Sequence, residues 1–182
     1  MNWIQFGRLI HSIYSHNGKL PDLDWIQRLG LLAVKLGQVH ALRSDFLEPA
    51  KCEHLSKLFR NNHSMGAEDF MKLVESTAVP GFISHFEDIE KNALASASVG
   101  QVHIGTLKDG TKVVIKAVKK DVRKNFKRDV SSVRGLFKFI SFFYRKLKRV
   151  GNPEAILNDI EEYTLSELDL NKEVDGVKVL SS

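Results

Sequence analysis

Lys116 is the residue whose chemistry stands out first, because it interrupts the apolar run formed by residues 113–118. A charge on an apolar strand costs free energy unless a carboxylate pairs with it. Glu167, Asp169 and Glu173 follow downstream and could supply that carboxylate. Such a paired lysine binds phosphates in kinase-type nucleotide sites. The alternative is a surface lysine whose stem covers an edge strand while its ammonium reaches water.

A run of small residues precedes the lysine strand, and it could approach phosphates closely. The run consists of Ala95, Ser96, Ala97 and Ser98, and Val99 follows it. Phosphate loops work through backbone N–H groups and the absence of bulky side chains. Alanine and serine meet this need in part, although they restrict the backbone more than glycine does. A small-residue packing turn is the alternative interpretation.

The patterning predicts three zones that would position these residues. Residues 1–79 are helical in pattern, residues 94–118 form strands, and the chain is helical again from residue 120. A hairpin is predicted from strands at 99–105 and 112–118, joined at Asp109-Gly110, a strong tight-turn signal. An amphipathic helix is predicted in the first zone, because five apolar residues there recur at spacings of three and four. These residues are Trp25, Leu29, Leu32, Leu36 and Val39.

Three more helices are predicted, at residues 49–60, 67–76 and from Glu154 towards Gly176. If the last helix is continuous, Asp169 and Glu173 lie one turn apart on one face. Glu167 then points about 200° away from Asp169, since each residue turns about 100°.

The composition is that of a globular protein with an ordinary core. The 182 residues are 43% hydrophobic and 27% charged, which argues against a chain disordered throughout. The single cysteine, Cys52, excludes an internal disulfide framework and is predicted to be a buried thiol. The seven histidines show no metal-ligand spacing, so no metal site is predicted. The sequence contains neither a signal peptide pattern nor an apolar run of membrane-spanning length.

The segment 119–149 is strongly basic, with twelve Lys or Arg residues against two Asp residues. A solvated helix face with its aromatic residues in the core is the simplest explanation. Binding to an anionic membrane surface is a second explanation, and binding to nucleic acid is a third that we do not expect.

Several motifs in order resemble those of one family. Lys35 to Gln38 form a KxGQ motif, and residues 95–103 read Ala-Ser-Ala-Ser-Val-Gly-Gln-Val-His. The Val-Ile-Lys strand and the sequence Glu167-Leu168-Asp169 come next, followed by Glu173. This order resembles the UbiB family, also called AarF-domain proteins, the atypical kinase-like proteins of ubiquinone biosynthesis. The resemblance covers roughly residues 20–180.

The resemblance implies an α+β fold, a kinase-like small lobe in residues 80–182 preceded by a helical extension in residues 1–79. It implies that Lys116 holds the phosphates of ATP and that Glu173 pairs with this lysine. The family's alanine-rich nucleotide loop falls on residues 95–98. The family's ExD motif falls on Glu167 and Asp169. Lys35 and Gln38 would lie one turn apart on a helix and gate the site against the ExD residues.

The sequence contains no His-x-Asp or Asp-Phe-Gly motif of a kinase large lobe. The resemblance therefore implies a catalytically incomplete part of an ATPase or kinase that needs Mg²⁺ in its complete form. The implied partners are a nucleotide and ubiquinone-biosynthesis proteins, and the implied location is cytoplasmic or membrane-peripheral. The alternative function is a non-catalytic module that binds a membrane surface or a protein through the same fold.

Overall fold

A computed structural model describes residues 1–16, 18–60, 65–118, 121–143 and 153–169. The chain divides into two compact units. One comprises Met1–Ser56 together with Arg123–Ser182, and the other comprises Lys57–Val122. The sequence-based boundary at residue 79 stays a prediction.

The first unit begins with helices α1 (Trp3–Tyr14), α2 (Leu23–Leu29) and α3 (Leu31–Ala41). Asn2 and Gln5 form a capping box at α1, and the side chain of Asp22 caps α2. The single helix predicted from Trp25 to Val39 is wrong. Gly30 separates α2 from α3. Its φ of +109° is a backbone conformation that residues with a Cβ rarely adopt.

Helix α3 is buried on every side along residues 31–38, including Lys35 and Gln38. The apolar spacing had indicated one buried face and one solvated face. The polar side chains Lys35 and Gln38 therefore lie inside the unit, where each needs a polar partner.

Helix α4 spans Pro49–Ser56, and a short 3₁₀ turn at Lys57–Phe59 replaces the predicted last turn. The buried Lys51 ammonium donates to the carbonyl oxygens of Ile13 and Ser15, where α1 ends. A cation at this position satisfies carbonyls that the helix leaves unpaired. Cys52 is half-buried rather than buried, which corrects the sequence prediction.

Helices α6 (Val122–Phe143) and α7 (Pro153–Glu167) complete the first unit. Arg134 of α6 donates to Asn158 and Glu161 of α7, at 2.8 and 2.7 Å. Helix α7 ends at Glu167, so the prediction that this helix continues through Asp169 is wrong. Residues 170–182, and with them Glu173, lie outside the described residues. Among the helices that the structure describes, none is both long and apolar enough to cross a bilayer.

The second unit contains helix α5 (Ala67–Thr77), as predicted within a residue, and a four-stranded antiparallel sheet. The strands are β1 (Phe86–Ile89), β2 (Ala95–Ser96), β3 (Gly100–Leu107) and β4 (Lys112–Val118). The β3–β4 hairpin is confirmed, although β3 begins one residue later than predicted and ends two residues later. Gly105 pairs with both β1 and β4, so β4 lies on one side of β3 and the short strands on the other.

The core of this unit lies between α5 and one face of the sheet. Its buried members are Phe70, Leu73, Val74, Ile115 and Ala117. Because side chains alternate along a strand, Ile115 and Ala117 face α5 and Lys116 faces the other way.

Candidate functional site

Lys116 stands in a cross-strand row on the sheet face opposite α5. Its direct partner on β3 is Val102, whose partner on β2 is Ala95. Directly opposed residues in antiparallel strands share a face, so these three side chains are neighbours. The lysine and the start of the small-residue run therefore meet on one surface, although about twenty residues of sequence separate them.

The part of this face next to Lys116 is apolar, and Lys112 with its partner Thr106 lies at the far end. Val102 and Ile104 of β3 oppose Lys116 and Val114 of β4, and Val118 lies beyond. Val114 is 64% exposed. An apolar surface with the ammonium of Lys116 beside it suits a ligand that has a flat ring at one end and phosphates at the other.

The small-residue run forms the tight connection between β2 and β3. Ser96 pairs with Gln101, and the Ala97 N–H donates to the Gly100 carbonyl at 2.8 Å. Ser98 and Val99 therefore lie at the turn. At Gly100 the chain passes so close to β4 that an added Cβ would lie 2.4 Å from the Ala117 carbonyl oxygen. Glycine at this position is what allows the loop to rest beside the lysine strand.

Lys35 and Glu167 form an ion pair within the first unit. The Lys35 Nζ lies 2.5 Å from Oε2 of Glu167. The Lys35 side chain is 10% exposed and that of Glu167 is 31% exposed. A pair with one member inside and one at the surface offsets the desolvation of the lysine while water still solvates the carboxylate.

Tyr163 contacts this ion pair, and the sequence analysis did not identify this residue. It precedes Glu167 by four residues on α7, the spacing that places two side chains on one helix face. The Lys35 Nζ lies 5.2 Å from the centre of its ring, within cation–π range. The negative charge of Glu167, followed by the hydrogen bond between these two side chains, raises the pKa of Tyr163.

The other predicted site residues lie as follows. Gln38 is on α3 one turn after Lys35, as the resemblance implied, and it is buried. Asp169 follows α7, and its N–H donates to the Ser166 carbonyl at 3.1 Å. The pairing of Lys116 with Glu173 stays a prediction, because Glu173 lies outside the described residues. Lys116 belongs to the second unit, whereas Lys35, Gln38, Glu167 and Asp169 belong to the first.

No group of three histidine, cysteine or acidic side chains that could hold a metal ion occurs within the described ranges. The two clusters that could do chemistry there are the Lys116 surface and the Lys35–Glu167–Tyr163 cluster.

Comparison with known proteins identifies the family. Residues 57–180 match the ABC1 atypical kinase-like domain. The chain is 32% identical over 154 residues to a protein of Haemophilus ducreyi named probable protein kinase UbiB, covering 82% of this chain and 28% of that protein. A protein of the same name from Aeromonas salmonicida is 30% identical over 177 residues, covering 92% and 32% of the two chains.

The chain thus spans about a third or less of these relatives. Among solved structures, a complex of Rv3197 with erythromycin from Mycobacterium tuberculosis matches with a TM-score of 0.47 and 20% identity. That match covers 78% of this chain and 34% of the other. The α+β fold with a kinase-like small lobe, predicted from the motifs, is confirmed by the domain match. The chain belongs to the ABC1 atypical kinase-like family.

Proposed function

We propose that this chain is the ATP-binding part of a UbiB-type atypical kinase or ATPase. The observation that carries the proposal is the row formed by Lys116, Val102 and Ala95 on one apolar sheet face. The valines of this face would contact the adenine ring, and the ammonium of Lys116 would bind phosphate oxygens. The loop from Ala95 to Val99 would cover the phosphates, and the backbone N–H groups at its turn, Ser98 and Val99, would face them.

Glu173 is the proposed partner that orients Lys116. A lysine that binds phosphate on an apolar strand is held in place by a carboxylate in kinase-type sites. ATP would bind as its Mg²⁺ complex. Since the sequence has no His-x-Asp or Asp-Phe-Gly motif, we expect ATP binding without efficient turnover.

Lys35, Gln38, Glu167 and Asp169 form the proposed gate. The ion pair between Lys35 and Glu167 supports this role, because it joins α3 to the end of α7 through a contact that a competing charge could break.

The relatives' name, probable protein kinase UbiB, supports a role in ubiquinone biosynthesis. The proposed partners are accordingly a nucleotide and other proteins of that process. We place the site of action in the cytoplasm or at the membrane periphery.

An ATP titration of the 182-residue chain tests the proposal. Lys116→Met keeps an apolar stem of similar length and removes the charge, so ATP affinity should fall at least tenfold, or about 1.4 kcal/mol. Lys112→Met changes the exposed lysine at the start of the same strand and should leave affinity unchanged. Equal affinities in the two variants would refute the assignment of Lys116. Efficient ATP turnover by this chain would refute its catalytic incompleteness.

A second candidate function is binding to an anionic membrane surface. Trp3, Ile4 and Phe139 are 46%, 76% and 53% exposed, and the rings of Trp3 and Phe139 lie 5.9 Å apart. Helix α6 adds exposed basic side chains such as Lys124 and Lys127. Apolar and basic groups together favour an anionic bilayer. Salt-sensitive sedimentation with phosphatidylglycerol vesicles, weakened by Ile4→Asp, would support this function.

A further inference from the structure

Gln101 and His103 form a buried polar network that the proposed function does not use. Both side chains are 1% exposed and lie on the face of β3 that packs against α5. Buried polar groups of this kind cost stability unless every donor and acceptor is paired. The network lies wholly within the second unit, which also contains Lys116 and the small-residue loop.

The hydrogen bonds of Gln101 have one consistent arrangement. The Met65 N–H can only donate, so it donates to Oε1 of Gln101, at 2.8 Å. The Gln101 Nε2 then has two hydrogens. One is donated to the Met65 carbonyl at 3.3 Å, and the other to Nε2 of His103 at 2.8 Å. Every polar group of the amide is used.

The same reasoning fixes His103. The Glu90 carbonyl can only accept, so Nδ1 of His103 carries the hydrogen and donates it at 2.7 Å. Nε2 is then a lone-pair acceptor for Gln101. The imidazole stacks on Phe70 of α5, with ring centres 3.6 Å apart and planes inclined by 18°. His103 thereby joins β3 both to α5 and to the chain segment that enters the loop.

These contacts reach the small-residue loop from both ends. Glu90 is held twice by β3, since its N–H also donates to the Ile104 carbonyl at 2.9 Å. The Leu94 N–H donates to the Val102 carbonyl at 2.8 Å. At the far end of the loop, the backbone of Gln101 pairs with Ser96. The side chain of the same glutamine holds Met65, two residues before α5 begins.

We propose that Gln101 and His103 are positioning residues for the nucleotide loop, and that they couple occupancy of the loop to the start of α5. A shift of β3 that admits phosphates to the loop must move the amide that holds Met65. This inference rests on the proposed function, because it requires that the loop binds a nucleotide.

The test measures two quantities on the 182-residue chain: ATP affinity, and the hydrogen-exchange rate of the Met65 amide with and without saturating ATP. In the unmodified chain, ATP should slow exchange at Met65 at least about fivefold, the lower end of usual couplings between sites. Gln101→Met keeps the shape of the side chain and removes its hydrogen bonds. This variant should weaken ATP binding about fivefold or more, and its Met65 amide should no longer respond.

A second variant and a control complete the design. His103→Phe keeps the ring on Phe70 but loses both hydrogen bonds, and combining it with Gln101→Met should cost no more affinity than either change alone. His85→Phe makes the same replacement at an exposed histidine of this unit and should change neither quantity.

Three outcomes would overturn the inference. If ATP binds the unmodified chain but leaves Met65 exchange unaltered, the coupling is absent, and this measurement needs no variant to fold. If Gln101→Met binds ATP normally, the positioning role is absent. In both cases the proposed function stands. If the unmodified chain does not bind ATP, both the inference and the proposed function fail.

Discussion

The Nζ of Lys35 lies 2.5 Å from Oε2 of Glu167, across 132 positions of sequence. This contact joins the most buried helix of the first unit to the end of the last described helix. The lysine is the more buried partner, so the pair is asymmetric. Loss of the carboxylate leaves an ammonium inside the protein, whereas loss of the lysine leaves a carboxylate that water can still reach.

Glu167→Gln should therefore destabilise the chain by about 2–3 kcal/mol, somewhat less than removal of a partner from a fully buried pair. Lys35→Met should cost less, because methionine fills the buried space and leaves the carboxylate near water. Urea unfolding monitored by circular dichroism measures both values.

Asp45→Asn is the matched control, since Asp45 pairs with Arg43 at 2.9 Å and the Asp45 side chain is 59% exposed and that of Arg43 38%. It should not shift the urea midpoint measurably. If Glu167→Gln shifted the midpoint no more than Asp45→Asn, the ion pair of Lys35 and Glu167 would not contribute to stability.

Tyr163 should report the charge of Glu167 directly. The carboxylate disfavours the phenolate and so raises the pKa of Tyr163. In Glu167→Gln that charge is gone, so the tyrosine should ionise at lower pH. Difference absorbance at about 295 nm, where the phenolate absorbs, follows the titration. The Tyr163→Phe variant identifies which part of the signal comes from Tyr163. An unchanged titration curve would mean that the two side chains do not interact in solution.

The sequence predicted α5 and the β3–β4 hairpin of the second unit well, because their signals are local, but it did not predict β1. The alternation of residues 112–118 fixed the faces of β4, and Asp109-Gly110 fixed the turn. Gly110 has φ +84°, and the Asp109 carboxylate accepts from the Thr111 N–H at 2.9 Å. These are short-range interactions that residue types alone can indicate.

The sequence was less informative about the helical unit. A glycine inside an apolar helical pattern is ambiguous, and Gly30 breaks the pattern where Gly37 does not. The contact of Lys35 with Tyr163 depends on how α3 and α7 pack, which no local pattern encodes. The network of Gln101 and His103 was visible only as part of a motif, because hydrogen bonds to backbone groups leave no sequence signal.

His40 should make stability depend on pH. Burial lowers the pKa of His40, more than its hydrogen bond to the Leu36 carbonyl raises it, and the charge of Arg43 lowers it further. The folded chain thus favours the neutral ring, which also packs edge-on against Tyr14. As the pH falls below about 6.5, the unfolded state binds the proton before the folded state does. The contribution of His40 to stability is therefore complete above that pH and decreases below it.

Thermal unfolding of the native chain and of His40→Gln at pH 7.5 and pH 5.5 measures this effect. Between pH 7.5 and pH 5.5, the melting temperature of the native chain should fall further than that of the variant. An equal loss in both would show that other groups govern the pH dependence.

Gly100 should be intolerant of a side chain. Its added Cβ would lie 2.4 Å from the carbonyl oxygen of Ala117, which is backbone and cannot rotate away. Gly100→Ala should cost about 1–3 kcal/mol, the usual cost of overpacking. Gly135→Ala on α6 meets nothing within 4 Å and should stabilise by about 0.5–1 kcal/mol. Chemical denaturation of the two variants compares them, and a tolerated Gly100→Ala would contradict the close approach of loop and strand.

Lysine-directed labelling with 5′-fluorosulfonylbenzoyl adenosine tests the central claim most directly. This reagent carries an adenosine and an electrophile where the phosphates would lie, and mass spectrometry identifies the lysine that reacts. If the apolar face with Lys116 binds ATP, the label should fall on Lys116, and added ATP should protect it. Labelling spread over exposed lysines such as Lys112, without protection by ATP, would contradict the account.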